Sequence, residues 1–318
     1  MKRFIPSGAV RISVAMFYTL LLAITGVSQP VFAQQAGSGD ATPSHVFQAV
    51  QNLIAEINIL REELGVYDYP PEAELQDDRA PVHVYVKTLE LSDKVGAVQR
   101  RFGVPATPMG QVPFKEIVAG DVLANVESIL VEVRKIKSQM VIERQIEPAP
   151  LVGGKTPSLV YKSLADVSFL LDGLRGRPLT PDDVFRNATF VLDELELIAA
   201  KLRVPLESGA PAVEGSKTAT DVAQQVLRAI YKVINLETRL GMDASSVPSL
   251  TLVRVTPSEV YDATNMLLAE MARIKLHLDI NVPRDQGPEP RGKKPVDVFA
   301  LALLIVRNLD LMSEAAAN

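Results

Sequence analysis

Six charged residues share one repeated position in the chain and are its best candidates for chemistry: Glu56, Lys94, Glu132, Glu194, Lys232 and Glu270. The order acid, base, acid occurs twice, followed by a neutral residue, Leu170 in the first half and Asn308 in the second. If the helices that carry them lie side by side, Lys94 falls between Glu56 and Glu132, and Lys232 between Glu194 and Glu270. Such carboxylates could work as acid and base or hold a cation. The simpler expectation is a set of interhelical ion pairs that fix which helix neighbours which.

The rest of the sequence offers little chemistry. With no cysteine there is no disulfide, thiolate metal site or cysteine nucleophile. None of the three histidines follows the Glu-x-x-His spacing of a carboxylate di-iron bundle. His45 and His83 fall three residues into a helix and read as exposed helix-start residues, or else as a metal or anion pair where two helix N-termini meet. His277 sits near a helix end. Gly153-Gly154-Lys155-Thr156 lacks the earlier glycine and preceding strand of a phosphate loop, and no GxSxG, HExxH or GxGxxG occurs. We therefore assign no catalytic, cofactor-binding or metal residue and do not expect an enzyme. A formal charge of −5 and a pI near 5.4 argue against a nucleic-acid partner.

The elements that must position these residues come from one repeat. The string Pro-x-x-Val-aromatic starts at Pro43, Pro81, Ala119 and Pro157, 38 residues apart, and again at Pro181, Ala219, Pro257 and Pro295. Only the step from Pro157 to Pro181 is shorter. Counted from the lead residue, apolar side chains recur at +3, +7, +10, +14, +17 and +21, a 3.5-residue period that predicts bundle-packed amphipathic helices. Thr42, Thr156, Thr180 and Thr256 can cap these helices with Pro in the first turn. Asp183, Asp221, Glu259 and Asp297 supply the acidic partner of a capping box. Gly65, Gly103 and Gly241 predict left-handed C-terminal stops. The aromatics one place after the repeated valine (Phe47, Tyr85, Tyr161, Phe185, Tyr261 and Phe299) are expected to plug the bundle ends.

The fold class is thus all-α, a tandem duplication of a four-helix unit, with eight long amphipathic helices in 38-residue repeats and helical bundles joined by Pro/Gly-rich connections. The array resembles helical repeat proteins in general and no particular family. We divide the chain into a signal peptide (1–33), a flexible leader (34–42), a first four-helix unit (43–176) and a second (177–318). Lys2, Arg3 and Arg11 precede the apolar run from Ile12 to Val27, and Val31-Phe32-Ala33 reads as a peptidase site, so cleavage is expected near Ala33/Gln34. Export to the periplasm or beyond the cell follows, with no membrane span left after cleavage. The connections, about 14 residues long, could reach roughly 45 Å and so permit parallel helices. Antiparallel order is nevertheless the favoured expectation, since bundles usually have it. For function, a scaffold or adaptor with a protein partner in the cell envelope is expected. The alternative is a module holding a small apolar molecule or lipid between helices.

Overall fold

The computed structural model describes residues 41–68, 70, 72–108, 110–248, 255–284 and 287–316. The signal sequence expected over 1–33, most of the leader and the apolar part of the link at 249–254 lie outside the described residues. Eight helices account for the repeats: α1 (Pro43–Glu63), α2 (Pro81–Arg101), α3 (Ala119–Gln139), α4 (Pro157–Leu174), α5 (Pro181–Leu202), α6 (Ala219–Arg239), α7 (Pro257–His277) and α8 (Pro295–Ala315). No strand occurs among the described residues.

Helix starts follow the capping logic and extend it. In α5, α6, α7 and α8 the acid at the third position accepts the N–H of the residue before the helix, at 2.6–2.8 Å. In α3 Asp121 does so from Val118, and in α1 and α2 the Nδ1 atoms of His45 and His83 take that place. Only α4, with Leu159 there, relies on Thr156 Oγ1 alone. At the other end, Val141, Arg203 and Asp279 hold the left-handed conformation that glycine supplies elsewhere. A Schellman hydrogen bond closes each of these turns, as from Ile142 N to Lys137 O.

The seams fill two cores. Val46, Val50, Leu53, Ile57 and Leu60 of α1 are at most 2% exposed. Each removes a side chain worth roughly 1.5–3 kcal/mol from water. The first core gathers α1–α4 and the second α5–α8, and the second also takes Val86 of α2. Within each bundle the helices follow each other around the axis as α1–α3–α2–α4 and α5–α7–α6–α8. Successive helices sit diagonally, not side by side.

Helix direction corrects the favoured expectation: within each bundle the helices are parallel. The starts of all four helices of the first bundle converge, with Pro43, Val46, Pro81, Val84, Ala119, Val122, Pro157 and Val160 around one small hollow. An antiparallel bundle would instead bring the first valine of one seam against the last apolar position of the next. Long links make the parallel order possible by running back along the bundle and hydrogen-bonding to it. Ala149 exchanges bonds with Gln48 and Asn52 at 2.7 Å, Ala73 N donates to Asp166, and Glu207 N donates to Asn308.

The bundles themselves run in opposite directions. They meet through α2 and α7, where His83 faces Glu270, Glu90 faces Asn265 and Asp93 faces Tyr261. Numbers rise along α2 as they fall along α7. This explains the shortened repeat step. Between α4 and α5 the chain needs no return along the bundle, and residues 175–180 suffice.

The repeated aromatics also depart from expectation. Only Tyr161 and Tyr261 are buried, and both face the junction between bundles. Phe47, Phe185 and Phe299 lie at the bundle flanks, where Lys155, Lys293 and Lys217 cover their rings at 4.1–5.0 Å.

Candidate functional site between the bundles

The repeated mid-helix charges do not form the two Glu-Lys-Glu sets. Lys94 lies on α2, which borders α3 and α4, so it cannot reach Glu56 on α1. Each group instead finds a partner further along a neighbouring helix. Glu56 meets Lys137 of α3 at 2.5 Å, and Glu194 meets Lys275 of α7 at 2.6 Å, the same relation in both halves. Lys94 pairs with Asp172 of α4 at 2.8 Å and Lys232 with Asp310 of α8, again equivalent. Glu132 accepts from Gln99 of α2 at 2.6 Å, and Glu270 joins Glu237 of α6 through Arg273, which contacts both. These pairs link helices that are adjacent in the ring, and so bear on which helix packs where.

On the contact between bundles, α2 presents His83, Lys87, Glu90 and Lys94, all 2% exposed or less. Lys87 Nζ reaches Glu90 at 3.0 Å and Asp262 of α7 at 2.5 Å. Burial works against its charge, but Asp262 and Glu90 outweigh burial and hold the ammonium well above its ordinary pKa. Burial also opposes ionisation of Glu90. Lys87 and Lys94, helped by a hydrogen bond from Ser168, overcome it and lower the carboxyl to about 2. Asp262 is raised, first by burial and then by repulsion from Glu90.

The His83 ring has one assignable tautomer. Its Nδ1 accepts the Ala80 N–H at 2.9 Å, so the proton lies on Nε2, which donates to Glu270 Oε1 at 2.9 Å. His83 is therefore a buried connector between bundles and not the exposed helix-start residue that its position predicts. His45 keeps that role beside Thr42, and His277 bonds the Leu240 carbonyl. The two N-terminal histidines form no joint site, and no group of three or more His, Asp or Glu among the described residues could hold a metal.

Glu237 and Glu270 are the pair that the sequence pattern missed. Both are at most 1% exposed, and Arg273 Nη1 contacts both, at 2.8 and 2.7 Å. Burial and the neighbouring Glu270 push Glu237 up to about 9. Burial opposes Glu270, but the His83 hydrogen bond and Arg273 bring it down to about 2. At neutral pH one proton therefore sits on Glu237. The first bundle carries the neutral Gln99 at the equivalent place, and that comparison was the available signal.

Beside this network lies a cleft of about 800 Å³ between the start of α2, residues 111–117, the last turns of α7 and residues 280–284. Val86, Leu89, Ile117, Leu268 and Ile280 give it an apolar floor. Glu194, Arg273, Lys275 and Arg284 supply polar groups at its wall, so Glu194 alone of the repeated mid-helix charges lines it. Its size falls within the range of small-molecule sites. Comparison with family models, with curated proteins and with solved structures returned no match. No described helix is long and apolar enough to cross a membrane.

Proposed function

We propose that the protein is an exported binding module, without catalysis of its own, that holds an amphipathic small molecule in the cleft between its two bundles. The cleft carries this reading. Both bundle cores are packed, so a ligand's apolar body has room between the bundles and not inside one. Lys115, Glu116, Glu194, Arg273, Lys275 and Arg284 set polar groups around the apolar floor, where a ligand's polar end can meet them. Export rests on the charged start, apolar run and small-residue site of residues 1–33. The test is titration calorimetry with dodecanoate, beside native mass spectrometry of the protein as purified. Binding should appear in the natural chain and disappear in Ala272→Phe, which fills the cleft. Equal binding by both chains would sink the reading.

A second reading, a scaffold for a protein partner in the cell envelope, draws on exposed Val141, Tyr67 and Tyr231, which are 79%, 70% and 59% accessible. These are scattered, and single exposed apolar residues are ordinary. Crosslinking in intact cells through those three positions would test it, and absence of any adduct would remove its support.

A further inference from the structure

Away from the cleft floor, two adjoining hollows of about 250 Å³ each open where the bundles join. They share Asp93, Arg100, Arg186 and Glu289 as walls. Six arginines converge on them: Arg100 from α2, Arg175 and Arg177 from the α4–α5 link, Arg186 from α5, and Arg284 and Arg291 from the α7–α8 link. The acids lining them are Asp93, Asp182, Asp183 and Glu289, and beyond the walls Asp172 stands 3.9 Å from Arg175 and Glu194 3.8 Å from Arg284.

Those acids are already engaged, in part by arginines of the hollows themselves. Asp183 accepts the Thr180 N–H and hydroxyl at the start of α5 and pairs with Arg177 at 3.3 Å, and Asp182 accepts from the Gly292 and Lys293 amides. Asp93 is taken by Arg186 at 2.6 Å and by the Tyr261 hydroxyl at 3.0 Å. The guanidinium donors are left short. Among the described residues, Arg175 Nε and Nη1, Arg186 Nε and Arg284 Nε are buried with no hydrogen-bond partner. The Arg175 and Arg284 side chains are only 2% and 7% exposed. The nearest acids to Arg175 stand off at 3.8 and 3.9 Å. Buried charged donors without acceptors are rare in folded proteins and point to an acceptor from outside the chain.

We propose that these hollows bind the phosphate group of a small phosphate ester. A phosphate offers several oxygens to planar guanidinium forks, which suits a site where more than two arginines meet. Two of its arginines stand outside the repeat helices, on the short link. Arg175-Gly176-Arg177 belongs to the one short link in the chain, and Gly176 turns there at φ +75°, where a Cβ would stand 3.0 Å from Arg101. It is also separate from the amphipathic ligand of the cleft, although Arg284 borders both.

The test is thermal unfolding and titration calorimetry of the full chain with inorganic phosphate and with glycerol phosphate, against sodium chloride at equal ionic strength. Either phosphate should raise Tm saturably, by about 5 °C at ligand a hundredfold above Kd. Arg100→Gln with Arg291→Gln removes two exposed arginines, leaves folding intact, and should weaken binding at least about tenfold. Phosphates that stabilise no more than chloride would overturn the proposal, as would natural affinity in the double variant. Co-sedimentation with phosphatidylglycerol vesicles distinguishes a lipid headgroup. Vesicle binding without stabilisation by the soluble esters would overturn the free-ester assignment.

Discussion

Replacing Glu237 with glutamine should flatten the fall of stability with rising pH. Glu237 is enclosed by Glu270 and Arg273 of α7 and by Ser245 of the following link, with His83 of α2 behind Glu270. Its folded pKa is near 9, against 4.5 for an ordinary glutamate. Between those values the folded state holds a proton that the unfolded chain has lost. Stability from this group is thus complete below about 4.5 and is lost progressively as pH rises toward 9. One proton corresponds to at most about 1.4 kcal/mol per pH unit, or roughly 3–5 °C of Tm for a chain of this size. Glutamine keeps the shape and a donor for Glu270 but has nothing to lose, as Gln99 does opposite Glu132. Urea unfolding of both chains from about pH 5.5 to about pH 8.5 measures the difference across that window. The natural protein should lose stability relative to Glu237→Gln with a slope approaching one proton. Parallel curves would mean that Glu237 is ionised in the fold and would refute the assignment. The converse substitution, Gln99→Glu, should install the same pH dependence in the first bundle.

Other outcomes follow from the geometry. Lys94→Met leaves Glu90 and Asp172 without their shared cation and should cost about 3–5 kcal/mol by chemical denaturation. Leu53→Ala opens a cavity at a position with no exposure and should cost about 2–5 kcal/mol. Because the chain has no cysteine, spin labels can be placed at Glu62→Cys and Ser138→Cys without background. Both sites are exposed near the ends of α1 and α3, so parallel packing predicts a separation under about 20 Å, and antiparallel packing about 30 Å or more.

Much of the fold was legible because it repeats. The apolar seams, the N-terminal caps and the glycine stops each carry local physics that a sequence displays. Val141, Arg203 and Asp279 escaped because a non-glycine residue in the left-handed conformation leaves no compositional mark; the turn is held by its hydrogen bonds. Helix direction escaped for a different reason. A heptad-like period has no polarity, and the informative signal, links too long for hairpins, was outweighed by how bundles usually connect. The mid-helix charges were found as a set but matched to the wrong partners, because neighbours in sequence proved to be diagonal in space. His83 was misread because nothing in its own repeat shows that a second bundle covers it. Arg175 and Arg177 fall at the boundary drawn between the two four-helix units, and nothing in their spacing marks them as part of a site.

The diagonal placement of consecutive helices also governs how the chain can fold. An up-and-down bundle can begin from a helical hairpin, two adjacent segments closing one short loop. Here α1 has no border with α2, and its first partner in sequence is α3. The Glu56–Lys137 pair spans 81 residues, as does Glu194–Lys275. No half of a bundle can therefore bury its seam until almost three repeats are in hand, and the entropy of closing those long loops is lost before contacts repay it. For an all-helical protein this implies slow folding of the kind more familiar in β-sandwiches. It also implies a long-lived open chain, since the repeats remain without stable partners until most of a bundle is present.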